Sequence, residues 1–489
     1  MNFMRLPYRL GEAFIHLFYL IYDRMLPMAK ERIHLSDHFT YRKVLRFTIS
    51  PILMMIFTSI YWIVDGFFIS NYVGTSAFAG VNLIFPIVMI VACLGFMFGA
   101  GGSALVSKRL GEQNNEGANK TFSLITYVAI GVGIVMGIIF FFLVKPIAQG
   151  FASINNVEAT DEMINNATKY GRIMLAGVGL YVLQSYFHSF FSVNEKSFLG
   201  FLFTLAAGLT NMLMDFLLIG VFKFGVEGAA IASLTGMLVG SIGPLLYFIF
   251  GKHNLIKLGK TTFVLRDILQ TILNGSSEFV SNVSGSIITT VYNIQLLKYI
   301  GEDGVAAYGV IGYVCFVFFA IFIGYSMGIA PVIAYNYGAK NKEELTNVLR
   351  KSFAIVEIAG IIMTILAISL SGPIAYIFTN SSPDLHKLAT HAMRIFSICY
   401  LFTGYSMFGS SFFTALNNGL LSAIIAVCRT LVFQMAAVFL LPLIMGVDGI
   451  WYSIIVAEIL SMIMTIILIG LNGKKYGYVM SPFRRKIVS

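Results

Sequence analysis

Four polar residues stand inside otherwise apolar stretches of the first half of the chain: Asp65 in YWIVDGFF, Asn211 and Asp215 in TNMLMD, and Ser233 in GAAIASLTG. Asn211 and Asp215 are four apart, so on a helix they share a face. Two carboxylates, an amide and a hydroxyl are hard oxygen ligands of the kind that hold Na⁺. Brought together out of water, the carboxylates alternatively make a proton site, because two like charges at close range favour one of them carrying the proton. The second half offers Glu278 in the run NGSSEFVSNVSGS, whose small polar residues suit a helix lining a cleft, and it is a candidate for a second cation or substrate site. Glu357 lies near a helix end, where its side chain reaches water by snorkelling. Arg429 and Glu458 read as an interhelical pair.

A carboxylate near the middle of a bilayer costs at least about 2.5 kcal/mol, so each of these positions calls for a reason. The reason matters because the elements that carry them are membrane helices. Of 489 residues, 57% are hydrophobic and 11% charged, against about 25% charged in soluble domains, and the mean hydropathy is +0.82. Soluble enzymes, secreted modules and disordered scaffolds are excluded. Continuous apolar runs also argue against a transmembrane β-barrel, whose strands alternate. The pattern predicts an all-α integral membrane protein with twelve transmembrane helices, over about 47–70, 80–104, 121–144, 170–192, 197–221, 226–250, 268–297, 305–331, 352–378, 390–415, 419–445 and 449–472.

The segments outside the spans set the orientation. Twenty-five of the 33 Lys and Arg fall before the first span, after the last, or in loops on that same side. The positive-inside rule therefore places both termini in the cytoplasm of a multi-pass protein of the cytoplasmic (inner) cell membrane, and accounts for the net charge of +10 without nucleic acid. The run Phe14–Tyr22 is too short to cross and has no cleavage site, so it reads as an interfacial helix; a start at Met28 would remove it. The cysteines (Cys93, Cys315, Cys399, Cys428) stand singly, with neither zinc-site spacing nor a disulfide framework. His188 is solitary, and neither HExxH nor GxxxxGK[ST] occurs. A non-enzyme without a cofactor is expected.

The two halves of the chain resemble each other. LGEQN (110–114) falls on YGAKN (337–341) and KPIAQGF (145–151) on GPIAYIF (372–378) at a shift of 227, while SFFSV (189–193) falls on SFFTA (411–415) at 222 and GVEG (225–228) on GVDG (446–449) at 221. Six spans per unit give both units the same orientation, hence two six-helix lobes related by a pseudo-twofold axis along the membrane normal, as in parallel-repeat transporters. The division is an N-terminal segment 1–46, a first lobe 47–250, an inter-lobe loop 251–267 acting as hinge, a second lobe 268–472 and a basic tail 473–489. Under this repeat Tyr292 stands opposite Asp65, and Phe433 and Ala437 stand opposite Asn211 and Asp215, so the acidic cluster belongs to one lobe.

The runs YWIVDGFFISNYVG (61–74), AFAGVNLIFP (77–86), GFMFGAGGSALVSKRLGE (95–112) and TNMLMD (210–215) resemble multidrug and toxic compound extrusion transporters, and GSSEFVSNVSG (275–285) is similar to the MepA-like bacterial members. The resemblance runs from about residue 33 to the end. It implies a two-lobe antiporter exporting cationic or amphipathic drugs in exchange for Na⁺ or H⁺ as the coupling ion, surrounded by membrane lipid and sufficient as a monomer. It further implies that the cation site comprises Asp65, Asn211, Asp215 and Ser233, with Na⁺ possible at the first three; the family's hydroxyl residue is usually Thr. Glu278 lies a turn or more from the position where some members carry an acid. A flippase of a lipid-linked or metabolite cargo shares the helical architecture, but would need a strongly cationic cleft.

Overall fold

The computed structural model describes residues 33–154, 160–251, 254–379 and 382–479; the Phe14–Tyr22 run and Met28 lie outside them. All regular structure among the described residues is helical. In chain order the spans are α1 (Tyr41–Phe68), α2 (Thr75–Gly111), α3 (Asn115–Ile154), α4 (Asp161–Ala176 and Val178–Val193, bent by 55°), α5 (Ser197–Asp215) and α6 (Gly225–Phe250). The second set is α7 (Leu265–Tyr299), α8 (Glu302–Gly338), α9 (Lys342–Thr379), α10 (Pro383–Phe396 and Tyr400–Ala415), α11 (Gly419–Val427 and Gln434–Met445) and α12 (Val447–Tyr476).

Among the described residues, nine of these helices are long and apolar enough to cross a membrane, or ten counting the bent α4. The remaining two are α7, diluted by its polar run, and the interrupted α10; both occupy positions that the first half fills with α1 and α4. Several helices exceed the spans expected from hydropathy. The first begins at Tyr41 rather than 47, because Thr40 caps it by accepting from the Lys43 amide, and α3 is 40 residues long. At 1.5 Å per residue such a helix outreaches a 30 Å hydrocarbon layer, so its end projects into water.

The internal repeat is visible in the backbone. Left-handed residues recur at the same shifts as the sequence matches: Gly74 (φ 116°) and Gly301 (φ 90°), Gln113 (60°) and Lys340 (56°), Glu195 (56°) and Asn417 (57°), Gly225 (62°) and Gly446 (64°). Helix pairing repeats too: α1 packs on α5 as α7 does on α11, and α5 on α6 as α11 on α12. The two lobes meet through α1 against α8, its counterpart α7 against α2, and α2 against α8 on the pseudo-axis.

That contact is closed at one end of the bundle. At Gly101 of α2 a Cβ would lie 2.0 Å from the Thr271 carbonyl oxygen of α7, at Gly275 one would lie 1.9 Å from that of Met97, and at Gly338 one would lie 2.1 Å from that of Lys108. All lie towards the end that carries Tyr41 and Tyr476. Gly285, Gly309 and Gly312, in the other halves of α7 and α8, face open space. The lobes thus touch on the terminus-bearing side and part on the opposite side.

Two segments outside the helices strengthen the closed end. The inter-lobe chain is docked to the first lobe rather than free: the Leu255 amide donates to Asn194 Oδ1 (2.7 Å), that of Lys257 to Asn119 Oδ1 (2.6 Å) and that of Gly259 to Ser123 Oγ (3.0 Å). Residues 33–40 form a strap across both lobes. Glu195 of the first lobe accepts from the Leu35 amide (2.7 Å) and pairs with His34 (2.7 Å). Glu344 of the second accepts from the Phe39 amide (2.8 Å) and from Asn347 (2.8 Å), and pairs with His38 (2.6 Å). Leu35 and Phe39 are buried. Glu344→Ala strands the buried Phe39 amide, so we expect a local loss of about 2 kcal/mol, seen as a lower denaturation temperature in detergent; Glu344→Gln, which keeps an acceptor, is expected to lose less.

Candidate functional site

The four residues singled out in the first half converge in the first lobe. Asp65 lies in the last turn of α1, Asn211 and Asp215 one turn apart near the end of α5, and Ser233 two turns into α6. All four are buried, with Asp215 fully inaccessible. Both acidic helices widen into a π-helical turn beyond the carboxylate, Ile69–Val73 one turn after Asp65 and Phe216–Val221 directly after Asp215. Such turns recur at functional positions.

Ser233 Oγ donates to Asp65 Oδ1 at 3.4 Å. Asp215 has Asp65 and Asn211 as polar neighbours, yet neither of its carboxylate oxygens has a hydrogen-bond donor, and neither does Asn211 Oδ1. A fourth such oxygen is Gln184 Oε1 of α4, which lines one small cavity with Asp65, Asn211 and Ser233 between Trp62 and Met237. Neither carboxylate makes an ion pair with a described residue. Buried acceptors are normally satisfied, and buried charges are normally paired. A nest this rich in unsatisfied acceptors, with no positive charge among the described residues, fits a proton or a small monovalent cation. A large ligand does not fit so small a space. Tyr170 of α4 also stands beside both carboxylates.

Gln184 and Tyr170 did not figure among the candidates read from sequence. Gln184 left a signal, an amide within the apolar run LYVLQSYF; nothing in its own sequence marks Tyr170, whose place beside the carboxylates is set by packing.

The second lobe is built differently. Tyr292, opposite Asp65 in the repeat, shares a hydrogen bond of 2.7 Å with Ser453 of α12, the counterpart of the Asp65–Ser233 bond between α1 and α6. Its fully inaccessible acid is Glu458, satisfied by Arg429 Nε (2.9 and 3.1 Å), Arg429 Nη2 (2.9 Å) and Ser406 Oγ (3.1 Å). The interhelical pair read from sequence is therefore formed. Glu278 stands apart from the first-lobe cluster, half-buried on α7, with the charge of Arg429 nearby. Glu357 is exposed and accepts from Tyr405.

The chain is 21% identical over 435 residues to the multidrug export protein MepA of Staphylococcus aureus (strain MSSA476), covering 88% of this chain and 94% of that protein. To MepA of Staphylococcus haemolyticus (strain JCSC1435) it is 23% identical over 423 residues, covering 86% and 90%. In fold it is similar to a multidrug resistance MATE family transporter of the MOP superfamily in an outward-facing conformation, at a TM-score of 0.84 and 23% identity, over 90% of this chain and 97% of that one. The MatE family model matches twice, at residues 51–217 and 278–440, one match for each lobe. With both repeats matched, the chain belongs to the MatE family.

Proposed function

We propose that the protein exports cationic or amphipathic drugs across the cytoplasmic membrane in exchange for Na⁺ or H⁺, by alternating access of a cleft between its lobes. The observation that carries the reading is the set of four donorless oxygens, from Gln184, Asn211 and Asp215, beside Asp65. Both termini are cytoplasmic in this reading, in line with the basic residues gathered on their side, so the lobes are closed inwards and parted outwards. Na⁺ or H⁺ enters from outside, neutralises Asp65 and Asp215 and lets the outer end of α1, with the π-helical turn that follows it, shift. The cargo leaves outwards, and a new one binding from inside favours release of the ion. Drug and lipid are the only partners invoked, and a monomer holds the complete machinery.

Exchanging one monovalent ion for one monovalent drug moves no net charge. The driving force is then the ion's chemical gradient alone, about 1.4 kcal/mol or tenfold accumulation per pH unit. Export of a lipid-linked anion would need free positive charge at the cleft, whereas Arg429 is committed to Glu458. The test is ethidium export from proteoliposomes under separately imposed Na⁺ and pH gradients. Export driven by one of them is expected; folded protein that moves no ethidium under either would overturn the reading in favour of another cargo.

A further inference from the structure

The two lobes place polar chemistry on equivalent helices, but only one of them is left short of positive charge. In the first lobe α1, α5 and α6 contribute Asp65, Asp215 and Ser233; Asp65 accepts from Ser233, and both oxygens of Asp215 go without a donor. In the second lobe the equivalent helices α7, α11 and α12 contribute Glu278, Arg429 and Glu458. Arg429 lies in the one π-helical turn described in that lobe, Cys428–Phe433. Its side chain is 11% exposed and that of Glu458 is inaccessible, so the pair sits away from water, where removing either charge strands the other. The guanidinium also lies over the Phe319 ring of α8, 6.0 Å from its centre. The α7–α12 bridge of this lobe, Tyr292 to Ser453, needs no ion because both partners are hydroxyls.

We infer that Arg429 is a tethered cation that does for the second lobe what a bound ion does for the first. The second lobe then holds one shape throughout the cycle, and dependence on an external monovalent cation resides in the first lobe alone. Arg429 lies eight residues before Ala437, the residue opposite Asp215, or about 12 Å along the helix. The tethered charge therefore sits closer to the terminus-bearing side than the external ion does. The groups facing Glu458 are Arg429 between the two segments of α11, Ser406 on α10, Cys399 between the two segments of α10 and Tyr292 on α7, while Glu278 faces Arg429 from α7. Among the described residues no second cation faces Glu458, so nothing else described in the lobe replaces Arg429.

The inference rests on the function proposed above and is tested separately from it, by ethidium binding to the full chain in lipid nanodiscs across Na⁺ and pH titrations. Binding to Asp65→Asn/Asp215→Asn is expected to be independent of both ions; dependence that persists there overturns the first-lobe reading itself. Adding Arg429→Met to that background is expected to create a new dependence of about tenfold, because Glu458 must then recruit its cation from solution. Arg429→Lys, which keeps a tethered charge, is expected to create none. Ion-independent binding by the Arg429→Met protein overturns the inference. Should that variant not fold, Arg429→Gln/Glu458→Gln leaves the lobe neutral without an ion. Ethidium binding at wild-type affinity then supports the inference, and lost binding overturns it.

Discussion

Asp215→Asn is expected to lower gradient-driven ethidium export about a hundredfold, the upper range of a coupling free energy between two sites, while the protein folds normally. The carboxylate is inaccessible and neither of its oxygens accepts a hydrogen bond. Removing its charge therefore breaks no partnership and relieves the penalty of burying it. Loss of function with unchanged or raised thermal stability distinguishes a coupling residue from a structural one. Asp65→Asn is expected to act in the same direction, with a smaller stability gain, because Asp65 Oδ1 already accepts from Ser233. Equal rates of export in wild type and both variants, measured in the same proteoliposomes, would place coupling elsewhere.

The second large effect lies far from the acids. At Gly275 a Cβ would fall 1.9 Å from the Met97 carbonyl oxygen and 2.7 Å from its carbon, both backbone atoms that cannot rotate away. Gly275→Val is expected to destabilise the closed contact between α2 and α7 by about 3 kcal/mol, the cost of overpacking a tight interface. That disfavours the arrangement closed on the terminus-bearing side by about a hundredfold. Export is expected to fail although the first-lobe site is untouched. The check is thiol labelling of Thr271→Cys, a position that is fully buried on α7 beside Gly101. The introduced thiol is expected to be unreactive in the otherwise unaltered chain and reactive once Gly275→Val is added. Full export by the double variant, together with a thiol that stays unreactive, would show that the lobes do not close through these glycines.

The helices and the repeat were legible because each leaves a local trace. Apolar runs reveal spans, and turns that demand left-handed backbone recur at fixed shifts, as at Gly74 with Gly301 and Gly225 with Gly446. The first-lobe acids were legible because a charge in an apolar helix is costly and therefore conspicuous. What escaped was set by three-dimensional packing. Gln184 and Tyr170, on the two segments of the bent α4, join the site only in the folded lobe. The strap of residues 33–40 looks like an ordinary polar tail until Glu195 and Glu344, far apart in the chain, are brought to its two ends. The hinge expected over 251–267 proved docked, because backbone amides there meet side-chain acceptors of the first lobe.

In the proposed cycle ion and drug compete through the first lobe, and linkage makes this competition measurable without transport. An antiporter's two ligands weaken each other's binding by the same factor. Ethidium affinity for the purified protein should therefore fall, by about tenfold or more, as Na⁺ or H⁺ is raised, and this fall should vanish in Asp215→Asn. An ethidium affinity that ignores both ions in the wild-type protein would contradict the account.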